Sequence, residues 1–108
     1  MPSPPEPKAE QHAERIDARV TGRVHGVGFR YFVLREAQGL GLVGWVANLA
    51  DGSVRCVAEG SRDRLDGLIA RLNEGPPAAI VGNVSVAWMP ATGTFVSFGV
   101  RSGAHPGD

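Results

Sequence analysis

Ile16-Asp17-Ala18-Arg19-Val20-Thr21-Gly22-Arg23-Val24-His25-Gly26-Val27-Gly28-Phe29-Arg30-Tyr31-Phe32-Val33 changes its hydrophobic period midway. Ile16, Ala18, Val20, Gly22 and Val24 alternate with Asp17, Arg19, Thr21 and Arg23, the two-residue period of a strand with one wet face. Phe29, Phe32, Val33 and Ala37 then recur at helical spacing, with Gly39 and Gly41 placed to end the helix. The stretch predicts a strand, a tight glycine-rich turn over Val24 to Gly28, and a helix.

Downstream, Leu42 to Leu49 and Ser53 to Glu59 read as two strands joined by Ala50-Asp51-Gly52. Asp-Gly between apolar runs is a hairpin signal, so this pair should be antiparallel. Ser61 is a good helix N-cap, Leu65, Leu68, Ile69 and Leu72 follow at i, i+3, i+4 and i+7, and Gly75-Pro76 closes that helix. Val84, Val86 and Trp88 alternate with Ser85 and Ala87, and Phe95 to Arg101 forms a last β-rich run. The order β-α-β-β-α-β with an extra C-terminal strand predicts an α+β, ferredoxin-like sandwich: a mainly antiparallel sheet with two helices on one face. Many unrelated activities use that fold, so function has to come from a site.

The chain has 108 residues, 43% of them hydrophobic, with 11 basic and 11 acidic side chains. One small domain is the natural reading. The first 14 residues hold Pro2, Pro4, Pro5 and Pro7 and no periodic apolar pattern, which predicts a flexible N-terminal tail. Residues 102–108 read as a second, C-terminal tail, leaving 15–101 as the working domain. Charge follows the same division. Up to Glu14, Lys8 faces Glu6, Glu10 and Glu14, whereas from Arg15 onward ten arginines face eight acids and no lysine occurs. No stretch approaches the ~20 consecutive apolar residues of a membrane span or the ~7–15-residue apolar core of a secretory signal, so a cytoplasmic location is expected. The single cysteine, Cys56, excludes an intrachain disulfide and a thiolate-rich zinc site.

The densest chemical feature is the turn itself, Gly22 to Arg30. Glycine lets backbone amides approach a ligand, successive N–H groups ahead of a helix form a concave anion site, and the Arg30 guanidinium adds a fixed positive fork. A small tetrahedral oxyanion suits that set. No Gly-Lys-Ser/Thr follows, as a nucleotide phosphate loop requires, and the third glycine of a dinucleotide fingerprint is missing. Read alone, the segment could equally be a plain tight turn carrying a solvated arginine.

Two motifs together say more. Gly22, Val24, Gly26, Val27, Phe29 and Arg30 resemble the first signature of the acylphosphatase family, with His25 standing where that family usually has glutamine. Gly44-Trp45-Val46-Ala47-Asn48, then Asp51-Gly52, Val54 and Gly60, resemble its second signature in the same order and spacing. The resemblance spans residues 16 to 101. It implies hydrolysis of the carboxyl–phosphate bond of acyl phosphates to a carboxylate and inorganic phosphate, with no metal and no other cofactor. It also implies that Arg30 and Asn48 are catalytic, Arg30 by binding the phosphate and Asn48 by holding the attacking water. His25, Gly26, Val27, Gly28, Phe29 and Arg30 form the implied phosphate-binding loop. The expected partner is a small acyl phosphate, with phosphate as product or inhibitor and the protein a monomer.

Other readings compete. Cys56-Val57-Ala58-Glu59-Gly60-Ser61-Arg62 spells the Cys-x5-Arg spacing of cysteine-dependent phosphatases. Against it, Cys56 alternates with Val54 and Ala58 toward a core, and Glu59 would repel an anion. A binding module could hold an anion in the same loop without turnover; Gly26-Val27-Gly28-Phe29-Arg30 also resembles the N-terminal domain of the much longer hydrogenase-maturation carbamoyltransferases, and a free-standing domain favours the enzyme. Zero net charge and seven aromatic residues with no basic interleaving argue against nucleic-acid and membrane partners. His25 reads as a half-exposed polar group replacing glutamine's hydrogen bonds, or as an imidazole that strengthens anion binding when charged. Trp45 and Phe29 are expected in the core, Tyr31 over the start of the first helix, and Arg19, Arg23 and Arg55 on the wet sheet face. His12 and His105 fall in the tails.

Overall fold

The computed structural model describes residues 13–102. The chain runs β1 (Glu14–Arg23), α1 (Phe29–Gly39), β2 (Val43–Asn48), β3 (Val54–Gly60), α2 (Arg62–Glu74), β4 (Ile80–Pro90) and β5 (Phe98–Arg101). These form one sheet in the order β4-β1-β3-β2-β5. The pairs β1–β3, β1–β4 and β2–β3 are antiparallel, and β5 joins β2 in parallel. This is the expected ferredoxin-like α+β arrangement.

Register explains the layering. Ile16 lies opposite Ala58, Ala18 opposite Cys56 and Val20 opposite Val54, and Cys56 faces Val46 on its other side. All of these side chains are fully buried and join one cluster with Phe29, Val33 and Ala37 of α1 and Leu65, Leu68 and Leu72 of α2. Both helices therefore cover the same sheet face. α1 lies over β2 and β5, and α2 over β1, β3 and β4. The Ser61 hydroxyl accepts from the Arg64 amide, Asp63 sits in the first turn and Arg71 in the last, so α2 is capped and charge-matched at both ends.

The sequence misplaced some boundaries. β1 begins one residue before the expected domain start, because Glu14 already pairs with Gly60 and Pro90. The rest of the expected N-terminal tail, apart from Ala13, and all of the C-terminal one beyond Ser102 lie outside the described residues. β4 starts at Ile80 rather than Val84: Ile80 and Val81 pair with Arg23 and Gly22 across a register shift at Thr21/Gly22. That bulge, together with Gly82 and Asn83, breaks the alternation that would have announced the strand. Only Phe98 to Arg101 of the last apolar run is paired; the Phe95 ring instead takes the Arg15 guanidinium at 5.5 Å. Trp45 is not a core residue. It lies half-buried on the sheet face away from the helices, with Arg55 at 5.3 Å and Arg101 at 4.7 Å from its ring.

The connection between β4 and β5 is anchored by Glu59, whose side chain is only 2% exposed. Its carboxylate accepts from the Thr92 amide and hydroxyl, the Gly93 amide and Arg15 Nη1 at 2.9–3.3 Å. Burial by itself would raise its pKa, but those donors outweigh it and hold the carboxyl below its ordinary value. Because the folded-state pKa is the lower one, the stabilisation is complete above the unfolded value and is lost as pH falls through the folded value. Glu59→Gln should cost about 2 kcal/mol at neutral pH by urea denaturation and flatten the loss of stability on acidification. Parallel acid curves for variant and wild type would show that Glu59 does not carry that linkage.

Candidate functional site

Val54 pairs with Val20 on one side and Asn48 on the other, so the end of β2 and the start of β3 lie level with Val20, three residues before β1 ends at Arg23. Asn48 shares the face of Val46, the face the helices cover. The loop leaving β1 and the start of α1 lie at that same end. Val24, Gly26, Gly28, Phe29, Arg30, Tyr31 and Asn48 line a cavity of about 210 Å³ there. That is below the ~300–1,000 Å³ of sites for drug-sized ligands, a scale suited to a small ion.

The local backbone follows from the glycines. Gly26 and Gly28 have φ of 71° and 78°, left-handed values that cost other L-residues energy. Gly28 is the N-cap of α1, no side chain among the described residues caps that end, and no acid occupies the first turn. The contrast with α2 is chemical. α1 presents N-terminal amides and the positive end of its dipole toward the cavity, with Arg30 in the first turn, and no carboxylate is among the lining residues. Opposite, Asn48 Oδ1 is buried and accepts no hydrogen bond from the described residues. A buried acceptor without a donor is costly, and here it borders a cavity that can hold a donor. The arrangement can bind a small dianion at the helix start while an amide oxygen orients a water beside it.

Of the residues the sequence nominated, the structure gathers Gly26, Gly28, Phe29, Arg30 and Asn48. Phe29 turns its ring into the core, edge-on to Phe32 at 6.0 Å, so what it offers the cavity is backbone. Val27 packs against the core cluster. Neither Val27 nor His25 is among the lining residues. His25 Nε2 lies 2.9 Å from the Ser53 carbonyl, an acceptor, so that nitrogen carries the proton. Tyr31 and Val24 line the cavity without having been nominated; Tyr31 is 61% exposed and stands at its rim, in the first turn of α1. Ser53 was also missed. Its amide and hydroxyl donate to Asp51 Oδ1 at 2.9 and 2.6 Å, and these bonds, the hydroxyl's first, hold the Asp51 carboxyl below its ordinary pKa. The Asp51-Gly52-Ser53 triplet is the signal that could have found it, since Asp side chains cap their own turns in this way.

Cys56 is fully buried, and burial, followed by the nearby Asp17 charge, pushes its thiol up to about 12. Glu59 faces Thr92 and Gly93, and Arg62 lies over the Trp88 ring at 3.8 Å. The Cys-x5-Arg spacing therefore forms no site. Among the described residues no three His, Cys, Asp or Glu side chains gather around a common metal position, and no helix is long and apolar enough to cross a membrane.

Comparison with known proteins bears on this geometry. The family model described as Acylphosphatase matches residues 16–100. A protein of Salinibacter ruber named acylphosphatase is 51% identical over 88 residues, covering 82% of this chain and 93% of that one. The crystal structure of an acylphosphatase from Bacillus subtilis superposes with a TM-score of 0.79 at 36% identity, covering 82% of this chain and 98% of that one. A full-length HypF structure in a phosphate- and nucleotide-bound form superposes at 0.77 with 25% identity, but over only 12% of its own length.

A native protein should resist thiol reagents at Cys56 and react only after denaturation. Rapid stoichiometric labelling of folded protein would contradict its burial.

Proposed function

Because the chain belongs to the acylphosphatase family and hydrolyses acyl phosphates, we propose that Arg30 and the backbone amides of residues 25–30 bind the phosphoryl group while Asn48 holds the attacking water. The orphaned Asn48 Oδ1, bordering the same cavity as Arg30 and the uncapped end of α1, carries this assignment.

The chemistry asks little more. A carboxylate is a good leaving group, and phosphoryl transfer through a loose transition state is accelerated mainly by positioning and by positive charge on the equatorial oxygens. Arg30 and the α1 amides supply that charge without a metal or other cofactor. Asn48 is a neutral amide and cannot act as a base, but its oxygen can accept one water hydrogen and so aim a lone pair at phosphorus. As the water oxygen bonds to phosphorus, the phosphorus–oxygen bond to the acyl group breaks. The carboxylate departs with the electron pair, and the water proton passes to a phosphate oxygen. The cavity accommodates the phosphoryl group and leaves the acyl part at the rim, beside the exposed Tyr31.

We further propose that the protein acts as a monomer in the cytoplasm. Arg30→Ala should lower turnover of benzoyl phosphate, assayed with chelator present, by at least ~100-fold, the scale of removing a transition-state charge donor. Unchanged turnover would overturn the role of Arg30. In Asn48→Ala, kcat should collapse while inhibition by inorganic phosphate persists. Loss of phosphate inhibition in that variant would overturn the division between binding and water-positioning. Phosphate binding with no turnover of acetyl, carbamoyl or benzoyl phosphate would instead identify a binding module.

A further inference from the structure

The Ser53 carbonyl joins two parts of the molecule that the reaction needs at a fixed separation. It accepts from the Leu49 amide at 2.9 Å, and Leu49 follows Asn48 directly. It also accepts from His25 Nε2 at 2.9 Å, and His25 leads into the glycine loop. Both lone pairs of one carbonyl are thereby used, in a residue only 3% exposed. Ser53 is held in turn by Asp51 Oδ1, and Asp51 Oδ2 accepts from Arg19 Nη1 of β1 at 3.1 Å. A continuous series, Arg19, Asp51, Ser53 and His25, fastens the loop to the sheet.

Resting on the roles assigned above to Arg30 and Asn48, we propose that His25 is a positioning residue whose Nε2–H clasps the Ser53 carbonyl and sets the phosphate loop at its working distance from Asn48. The loop needs such a device. Gly26 and Gly28 give it the left-handed backbone that a cradle requires, but glycine leaves a segment with many conformations to lose when a ligand binds. A hydrogen bond already made in the free protein removes that loss beforehand, so phosphate meets a formed site. The His25 side chain is exposed and is not among the cavity-lining residues, so it acts through the loop backbone rather than on the ligand. Glutamine has a side-chain N–H able to reach a carbonyl in the same way, whereas alanine does not.

The test compares His25→Ala, His25→Gln, Asp51→Ala and the His25→Ala/Asp51→Ala double variant at one pH. The readouts are kcat and KM for benzoyl phosphate, the inhibition constant of inorganic phosphate, and Tm. His25→Ala should raise KM and the phosphate inhibition constant about three- to tenfold, the worth of one neutral hydrogen bond, with Tm within a few degrees of wild type. His25→Gln should recover most of that loss. Asp51→Ala should weaken phosphate binding by a smaller factor, and the double variant should be no worse than His25→Ala, because both act through Ser53. Wild-type phosphate inhibition in His25→Ala, failure of His25→Gln to recover it, or multiplicative losses in the double variant would each overturn the clasp. Absence of turnover in the wild-type protein would strike the assignment of Arg30 and Asn48 instead.

Discussion

The registration of β1 and β2 against β3 is the constraint on which the rest depends. With Val54 between Val20 and Asn48, every second residue of the three strands faces the helices, and the end of β2 lies level with the start of β3 and with Val20, shortly before the glycine loop. Sheet side chains alternate with a period of two, so a slip by one residue would expose Ile16, Ala18, Val20, Val46, Cys56 and Ala58 together. The same slip would turn Asn48 to the opposite face. Core packing and site geometry are thus two results of one pairing. The large burial term therefore holds the site in place without a separate contribution from the functional residues.

Outside the core, the arginine-only body acquires a physical reason. Among the described residues no helix or second sheet covers the sheet face away from α1 and α2, and Trp45 lies there between Arg55 and Arg101. Arg15 lies over Phe95, Arg62 over Trp88, and Arg55 forms a two-pronged pair with Asp17 at 3.0 and 2.6 Å. Planar guanidinium groups stack on rings while keeping their edges for carboxylates and water, which a lysine ammonium cannot do as well. These contacts cover apolar rings at the cost of little charge burial.

Local features were legible in the sequence and nonlocal ones were not. The leucine spacing of α2 and its Ser61 cap are fully encoded within thirteen adjacent residues, and the helix appears as read. Gly26 and Gly28 marked a turn because the left-handed backbone they take is local, and Asn48, nominated through its place in a spaced motif, lines the same cavity as Arg30. By contrast, β4 reaches Ile80 only by bulging at Gly82 against β1, a strand more than fifty residues away in sequence. Glu59 was read only as a charge that would repel an anion, because the Thr92 and Gly93 amides that hold it lie more than thirty positions away. Trp45 was expected inside because its size favours burial; alternation with Val46 places it on the outer face, where arginines supply the cover. His25 was noticed as a departure, but the carbonyl it meets lies 28 positions away.

If the N-terminus of α1, which no described side chain caps, binds phosphate as proposed, folding itself answers to the surroundings. An anion seated on those amides performs the service that Ser61 performs for α2, and the unfolded chain has no such seat. On the proposed reading, phosphate is at once the product that blocks the site and the cap that completes the helix. By mass action, a phosphate concentration a hundred times its dissociation constant would add about 2.7 kcal/mol to stability. The conditions that most restrain turnover are then those in which the protein is longest lived, coupling catalytic idleness to endurance through a single helix end.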